Sequence, residues 1–221
     1  MSADSFDPAA IVAAFNRHSV DYVVIGGFAA ELHAAPVEPT RDIDFTPATT
    51  MANLARVSAA LDELGARIRT ATESAGLAFS HDSASLGRAR VWNLTCAHGE
   101  FDLSFVPSGT EGYDDLVLQA LRVALPGGGE MAVASLADVI RSKRAAGRQK
   151  DLRALPALQR RLIAQGHQSP ARQVSELARR AAERLGGHGP TAHSSNMEAT
   201  RRLTTEVARR LQPGPEVGYG R

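Results

Sequence analysis

The sequence predicts a mixed α/β (α+β) domain with a small, partly antiparallel sheet flanked by helices, followed by a helical C-terminal region. Three observations carry this prediction. Short β-rich runs alternate with amphipathic helical stretches as far as about residue 165. Two pairs of these runs flank tight turns, at Ala97-His98-Gly99 and at Pro126-Gly127-Gly128-Gly129, and so read as antiparallel hairpins. With 221 residues, 43% of them hydrophobic, the chain can bury one core and carry a smaller appendage.

The elements follow in order. Residues 8–17 place Ala10, Ile11, Ala14 and Phe15 on one side of a short helix. Residues 21–25 are β-rich and stop at Gly26-Gly27; residues 28–34 are helical up to Pro36. Residues 41–45 alternate charged and apolar side chains, as a half-buried strand does. Residues 50–64 align Leu54, Val57, Leu61 and Leu64 on a helix that Gly65 stops. Residues 66–80 are ambiguous and read as a strand and a turn. Residues 90–95 and 100–106 form the first hairpin, residues 112–119 a helix, and residues 122–125 and 131–134 the second hairpin. Ser135 opens a helix through Arg144, with Asp138 placed for a capping box. Asp151 caps or enters a further helix, to about residue 164. A catalytic domain is therefore expected over 1–165. A helical extension is expected over 166–211, with helices near 170–185 and 197–211. The Gly/Pro-rich end, 212–221, is expected to be disordered.

Composition excludes several classes of function. Charges nearly cancel, at +1, so bulk charge gives no argument for a polyanionic partner. The single cysteine, Cys96, excludes an internal disulfide framework and any zinc site built from several cysteines, and suggests a reducing, cytoplasmic setting. The N-terminus has no basic flank before its short apolar stretch, unlike a signal peptide. No apolar run approaches the roughly 20 residues that cross a bilayer, so no membrane association is expected. Of 25 basic residues only two are lysines, Lys143 and Lys150, seven positions apart. A compact ammonium is not interchangeable with a guanidinium where phosphate needs a point charge.

The chemistry centres on Gly26-Gly27 and on Thr40-Arg41-Asp42-Ile43-Asp44. In a strand Asp42 and Asp44 project together, while Ile43 and Phe45 turn to the core. Paired carboxylates repel unless a cation lies between them, and magnesium favours carboxylate, water and phosphate oxygens. A glycine turn leading into a helix offers bare amides to phosphate. In Phe101-Asp102-Leu103-Ser104-Phe105 the three apolar residues face one way and Asp102 the other, either as a third metal ligand or as a general base, with Glu100 as its substitute; the alternative is an exposed aspartate on a half-buried strand. Eight basic residues lie between Arg141 and Arg161 against one acid, Asp151. Arg141, Lys143, Arg144, Arg148, Lys150 and Arg153 form a set able to neutralise a triphosphate and an RNA backbone; the alternative is a solvated basic face with Asp151 as an N-cap. His33, His98, Trp92 and Tyr22 read as structural.

This arrangement resembles the nucleotidyltransferase superfamily: a glycine pair or Gly-Ser, then Asp-x-Asp, then a third acid. Gly26-Gly27 here lacks the common serine. The chain is most similar to the MenT/AbiEii-type nucleotidyltransferase toxins of bacterial toxin–antitoxin systems, through Gly26, Gly27, Thr40, Arg41, Asp42, Asp44 and the segment from Lys143 to Lys150-Asp151. The likeness covers residues 20–155.

The resemblance implies a nucleotidyltransferase fold and a nucleoside triphosphate substrate. It implies Mg2+ (or Mn2+) on Asp42, Asp44 and Asp102, and phosphate contacts from Gly26, Gly27, Lys143, Arg144 and Lys150. Thr40 and Arg41 flank the metal pair, and Asp151 either orients a basic neighbour or meets the nucleotide. It further implies transfer of a nucleoside monophosphate to a tRNA 3′ end, and an antitoxin partner. A hydroxyl at Thr40 is then a phosphorylation target whose charge of about −1.5 to −2 would oppose triphosphate binding; the other reading has Thr40 satisfying backbone near the strand start. Two other functions stay open. One is transfer to a protein hydroxyl or to a small molecule such as an antibiotic. The other is a non-catalytic module that docks a partner.

Overall fold

The computed structural model describes residues 6–35, 37–73, 75–126 and 128–186. Helix α1 (Pro8–Arg17) begins at Asp7, whose carboxylate accepts the Ala10 amide, with Pro8 in the first turn where its missing N–H is harmless. Strand β1 (Tyr22–Ile25) is buried throughout. Helix α2 (Gly26–Leu32) starts two residues earlier than the sequence suggests, so the glycine pair forms its first turn. Strand β2 (Asp42–Pro47) follows, and then α3 (Met51–Leu64), capped by Thr50 and ended by Gly65 in the left-handed conformation. The ambiguous stretch yields only β3 (Arg67–Ile68), bridged to Leu77, before the short helix α4 (Ser83–Leu86). The first hairpin is β4 (Val91–Cys96) and β5 (Gly99–Ser104). Helix α5 (Tyr113–Leu116) leads to β6 (Leu121–Ala124) and β7 (Glu130–Val133). Helices α6 (Leu136–Ala146), α7 (Gln149–Gly166) and α8 (Pro170–Leu185) complete the order among the described residues.

All seven strands join one mixed sheet, in the order β3-β4-β5-β2-β1-β7-β6. It is larger than expected because the two-residue β3 and the second hairpin each extend an edge. Strand β2 is central, antiparallel to β1 and parallel to β5. Its alternation sends Ile43 and Phe45 to one face beside Phe101 and Leu103 of β5, all buried. Phe15 of α1 stacks on Phe45 with centroids 4.4 Å apart, and Tyr22 and Phe101 meet Phe15 edge-on. Burial of each such aromatic ring stabilises the fold by about 1.5–3 kcal/mol. The other face of β2 and β5 therefore holds their polar residues, and the candidate site lies there.

Helix α8 belongs to the same compact unit as the sheet, a unit ending at Gly187. Leu177, Ala181 and Leu185, four residues apart, join the core, and α8 packs on α1, α2 and β6. The helix expected over 170–185, in the extension after residue 165, is packed on these elements. The helix expected near 197–211 and the tail 212–221 lie outside the described residues. Among the described residues no helix is long and apolar enough to cross a membrane.

Candidate active site

The register of the sheet builds the site. Asp44 lies opposite Asp102, and Asp102 opposite Asn93 of β4. The backbone N–H of Arg69, just past β3, donates to Asn93 O at 2.9 Å and continues that row. Two residues along, Asp42 lies opposite Glu100, Glu100 opposite Thr95, and Thr95 opposite Arg67. Residues paired across strands share a face. Two polar rows therefore run across the sheet, with acids at the centre and arginines at the β3 edge.

The glycine pair is fitted to these acids. Gly26 has φ of +74°, and a Cβ there would stand 1.9 Å from Asp44 Oδ2. A Cβ on Gly27 would stand 3.1 Å from Thr40 Oγ1. The Thr40 hydroxyl donates to the Asp42 carboxylate, and the Thr40 N–H donates to Glu31 of α2. Arg184 of α8 pairs with Glu31 at 3.0 Å, donates to Thr40 O at 3.3 Å, and lies over the Phe28 ring at 5.4 Å. The segment entering β2 is thus tied to both α2 and α8.

Positive charge arrives from α6 and α7. Lys143 Nζ donates to Asp151 Oδ1 at 2.8 Å, and Arg148 Nε to Asp151 Oδ2 at 2.6 Å. Asp151 is wholly buried. Burial alone would raise its pKa, but these two donors outweigh it and hold the carboxyl below its ordinary value. Asp151 therefore orients Lys143, and sits in the first turn of α7 while Arg148 occupies the cap.

Asp44 is pushed up to about 7, first by removal from water and then by the Asp42 and Asp102 charges, against the pull of Lys143 and Arg148. Asp102 is also raised, by burial and by Asp42 and Glu100, although Arg69 opposes the rise. Arg69 Nη2 pairs with Asp102 Oδ1 at 2.9 Å, and its Nη1 pairs with Glu100. The acids are left short of positive charge. Their all-oxygen donor set suits Mg2+ or Mn2+. Among the described residues no group of three or more His, Cys, Asp or Glu side chains is gathered as a ready metal cage. Asp102 turns instead to Arg69.

The structure thus brings together Gly26, Gly27, Thr40, Asp42, Asp44 and Asp102, and sets the Lys143–Asp151 pair within electrostatic reach of Asp44. Arg41, Arg144 and Lys150, expected to meet the nucleotide, are exposed, and His33, expected to be structural, is buried. Arg144, one helical step from Lys143, lines a groove with Ala137, Ile140 and Leu162. Lys150 lies in the first turn of α7. His33 is bonded to Ala134 O at 2.8 Å and to Gln165. Sequence reasoning missed Arg69, Glu31 and Arg184, because each acts through a tertiary contact that no local pattern announces.

The chain matches no family model and no curated protein.

Proposed function

We propose that this chain is a Mg2+-dependent nucleotidyltransferase that moves a nucleoside monophosphate from a nucleoside triphosphate to a tRNA 3′ end, releasing pyrophosphate. Its biological role would be that of a cytoplasmic toxin restrained by an antitoxin. The observation that carries this reading is the register placing Asp42, Asp44 and Asp102 side by side on one face of the sheet, with Lys143 of the Lys143–Asp151 pair acting on Asp44 through its charge.

Asp42 and Asp44 would hold the metal, with Asp102 completing its ligands or accepting the proton of the attacking hydroxyl. Mg2+ bound there would neutralise the triphosphate and favour departure of pyrophosphate. Lys143, oriented by Asp151, would meet phosphate oxygens as a point charge. The Gly26 and Gly27 amides, in the first turn of α2, would meet triphosphate oxygens, while their missing Cβ atoms leave room for Asp44 and Thr40. Removal from water raises the Asp102 pKa, which strengthens the carboxylate as a proton acceptor.

The test is incubation of the purified chain with Mg2+, each labelled triphosphate in turn and total tRNA, beside Asp42→Ala. Label on tRNA with the wild type, absent with the variant, is the expected result. Triphosphate binding without transfer to tRNA would redirect the assignment to a protein or small-molecule acceptor. Neither binding nor transfer would leave a non-catalytic docking module.

A further inference from the structure

Resting on the metal-dependent reading above, we propose that Arg69 is a displaceable cation: it occupies the third carboxylate until the metal takes Asp102, and its freed guanidinium then binds the phosphates of the incoming triphosphate. Arg69 follows the two-residue edge strand β3, and its N–H is fixed to Asn93 O at 2.9 Å. Its side chain reaches past β4 to Asp102 at 2.9 Å and to Glu100. Those two carboxylates face Asp44 and Asp42 in register, so Arg69 stands against one side of the acid cluster. The Asp42 charge also acts on it.

Arg69 and a divalent ion would compete for the same carboxylate. Mg2+ demands oxygen ligands in near-octahedral array, so an Asp102 oxygen given to the ion leaves the guanidinium with a poorer pair. A guanidinium released beside a triphosphate has a suitable acceptor, because its planar fork matches phosphate oxygens. The side chain is 26% exposed, against 16% for Asp102, so Arg69 is the partner that borders solvent. The same arginine would thereby couple metal loading to nucleotide capture.

A permanent clamp that merely aims Asp102 makes the opposite prediction, and the sign decides. Mn2+ binding to the full chain without nucleotide would be read from the free-ion electron-paramagnetic signal, for wild type, Arg69→Gln, Arg69→Lys and Asp42→Ala. Removing a partly exposed pair worth about 1 kcal/mol should tighten Mn2+ binding by roughly three- to tenfold in Arg69→Gln. Equilibrium triphosphate binding with Mg2+ should weaken about tenfold in the same variant. Arg69→Lys should lie between, and a melting temperature equal to that of the wild type would certify the fold of each variant. Unchanged or weaker Mn2+ binding in Arg69→Gln overturns the displacement. Wild-type Mn2+ affinity in Asp42→Ala would instead overturn the metal reading itself, and the proposal with it.

Discussion

A methyl group on Gly26 would collide with the Asp44 carboxylate, and the backbone there is left-handed besides. Gly26→Ala should therefore displace the acid as well as strain the helix start by about 1–2 kcal/mol. The expected result is a folded protein melting a few degrees lower, with nucleotidyl transfer reduced at least about a hundredfold. Full activity would remove Asp44 from the site. Asp44 itself predicts a pH effect. Its folded pKa, about 7, exceeds that of the unfolded chain, so between roughly pH 4 and 7 the folded state binds the extra proton and loses stability as pH rises. Asp44→Asn should abolish that penalty, raising the melting temperature at pH 8 by about 3–8 °C and changing little at pH 4. Calorimetry at the two values reads this directly; an equal shift at both would mean that charge is not the cause. The pairing of Asp42 with Asp44 was legible because a strand has period two. Arg69 was not, because its role depends on the register of three strands.

Elements were legible in proportion to their length. The helices α1, α3 and α8 carry several turns of periodic apolar residues, whereas the two residues of β3 and the four of α4 fall below any window that could reveal them. The exception is informative. Helix α8 was foreseen but set outside the domain, since its arginines dominate the composition and its buried stripe is narrow. Leu177→Ala tests its membership: a core position should lose about 2–4 kcal/mol, and an appendage next to nothing. Chemical denaturation with an unchanged slope would measure it. The corner between α6 and α7, turned by Gly147 at φ +62°, brings Lys143 back onto Asp151. Asp151→Asn keeps the shape but removes the charge that two cations share. It should destabilise the protein by about 2–3 kcal/mol and raise the KM for triphosphate with less effect on kcat, because Lys143 loses its orientation. An unaltered KM would confine Asp151 to a structural role.

At the scale of the whole molecule, net charge is nearly zero, and its distribution decides which residues could meet the phosphates of the proposed RNA. The eight basic residues between Arg141 and Arg161 looked like one surface in the sequence, but the fold divides them. Arg141 pairs with Asp115 and Asp138, Lys143 and Arg148 with Asp151, and Arg161 with Glu176 while it also donates to His33 O. Arg144, Lys150, Arg153 and Arg160 are exposed and make no ion pair among the described residues. Only an arginine or lysine free of internal partners can release counterions from a phosphate backbone at little structural cost. Reversing Arg153 and Arg160 together should thus leave the melting temperature within about 2 °C of the wild type, lower tRNA affinity, and flatten the plot of log affinity against log salt by about one unit for each contact removed. Reversing Arg161 should do the converse, since it sets a like charge against Glu176 and leaves the carbonyl of His33 without its donor, lowering stability first and RNA binding only as a consequence. Fluorescence anisotropy of labelled tRNA across a salt series, beside thermal melts of both variants, distinguishes them. If the double reversal at Arg153 and Arg160 leaves both affinity and salt slope unchanged, α7 does not carry the RNA, and the acceptor must be sought among proteins or small molecules.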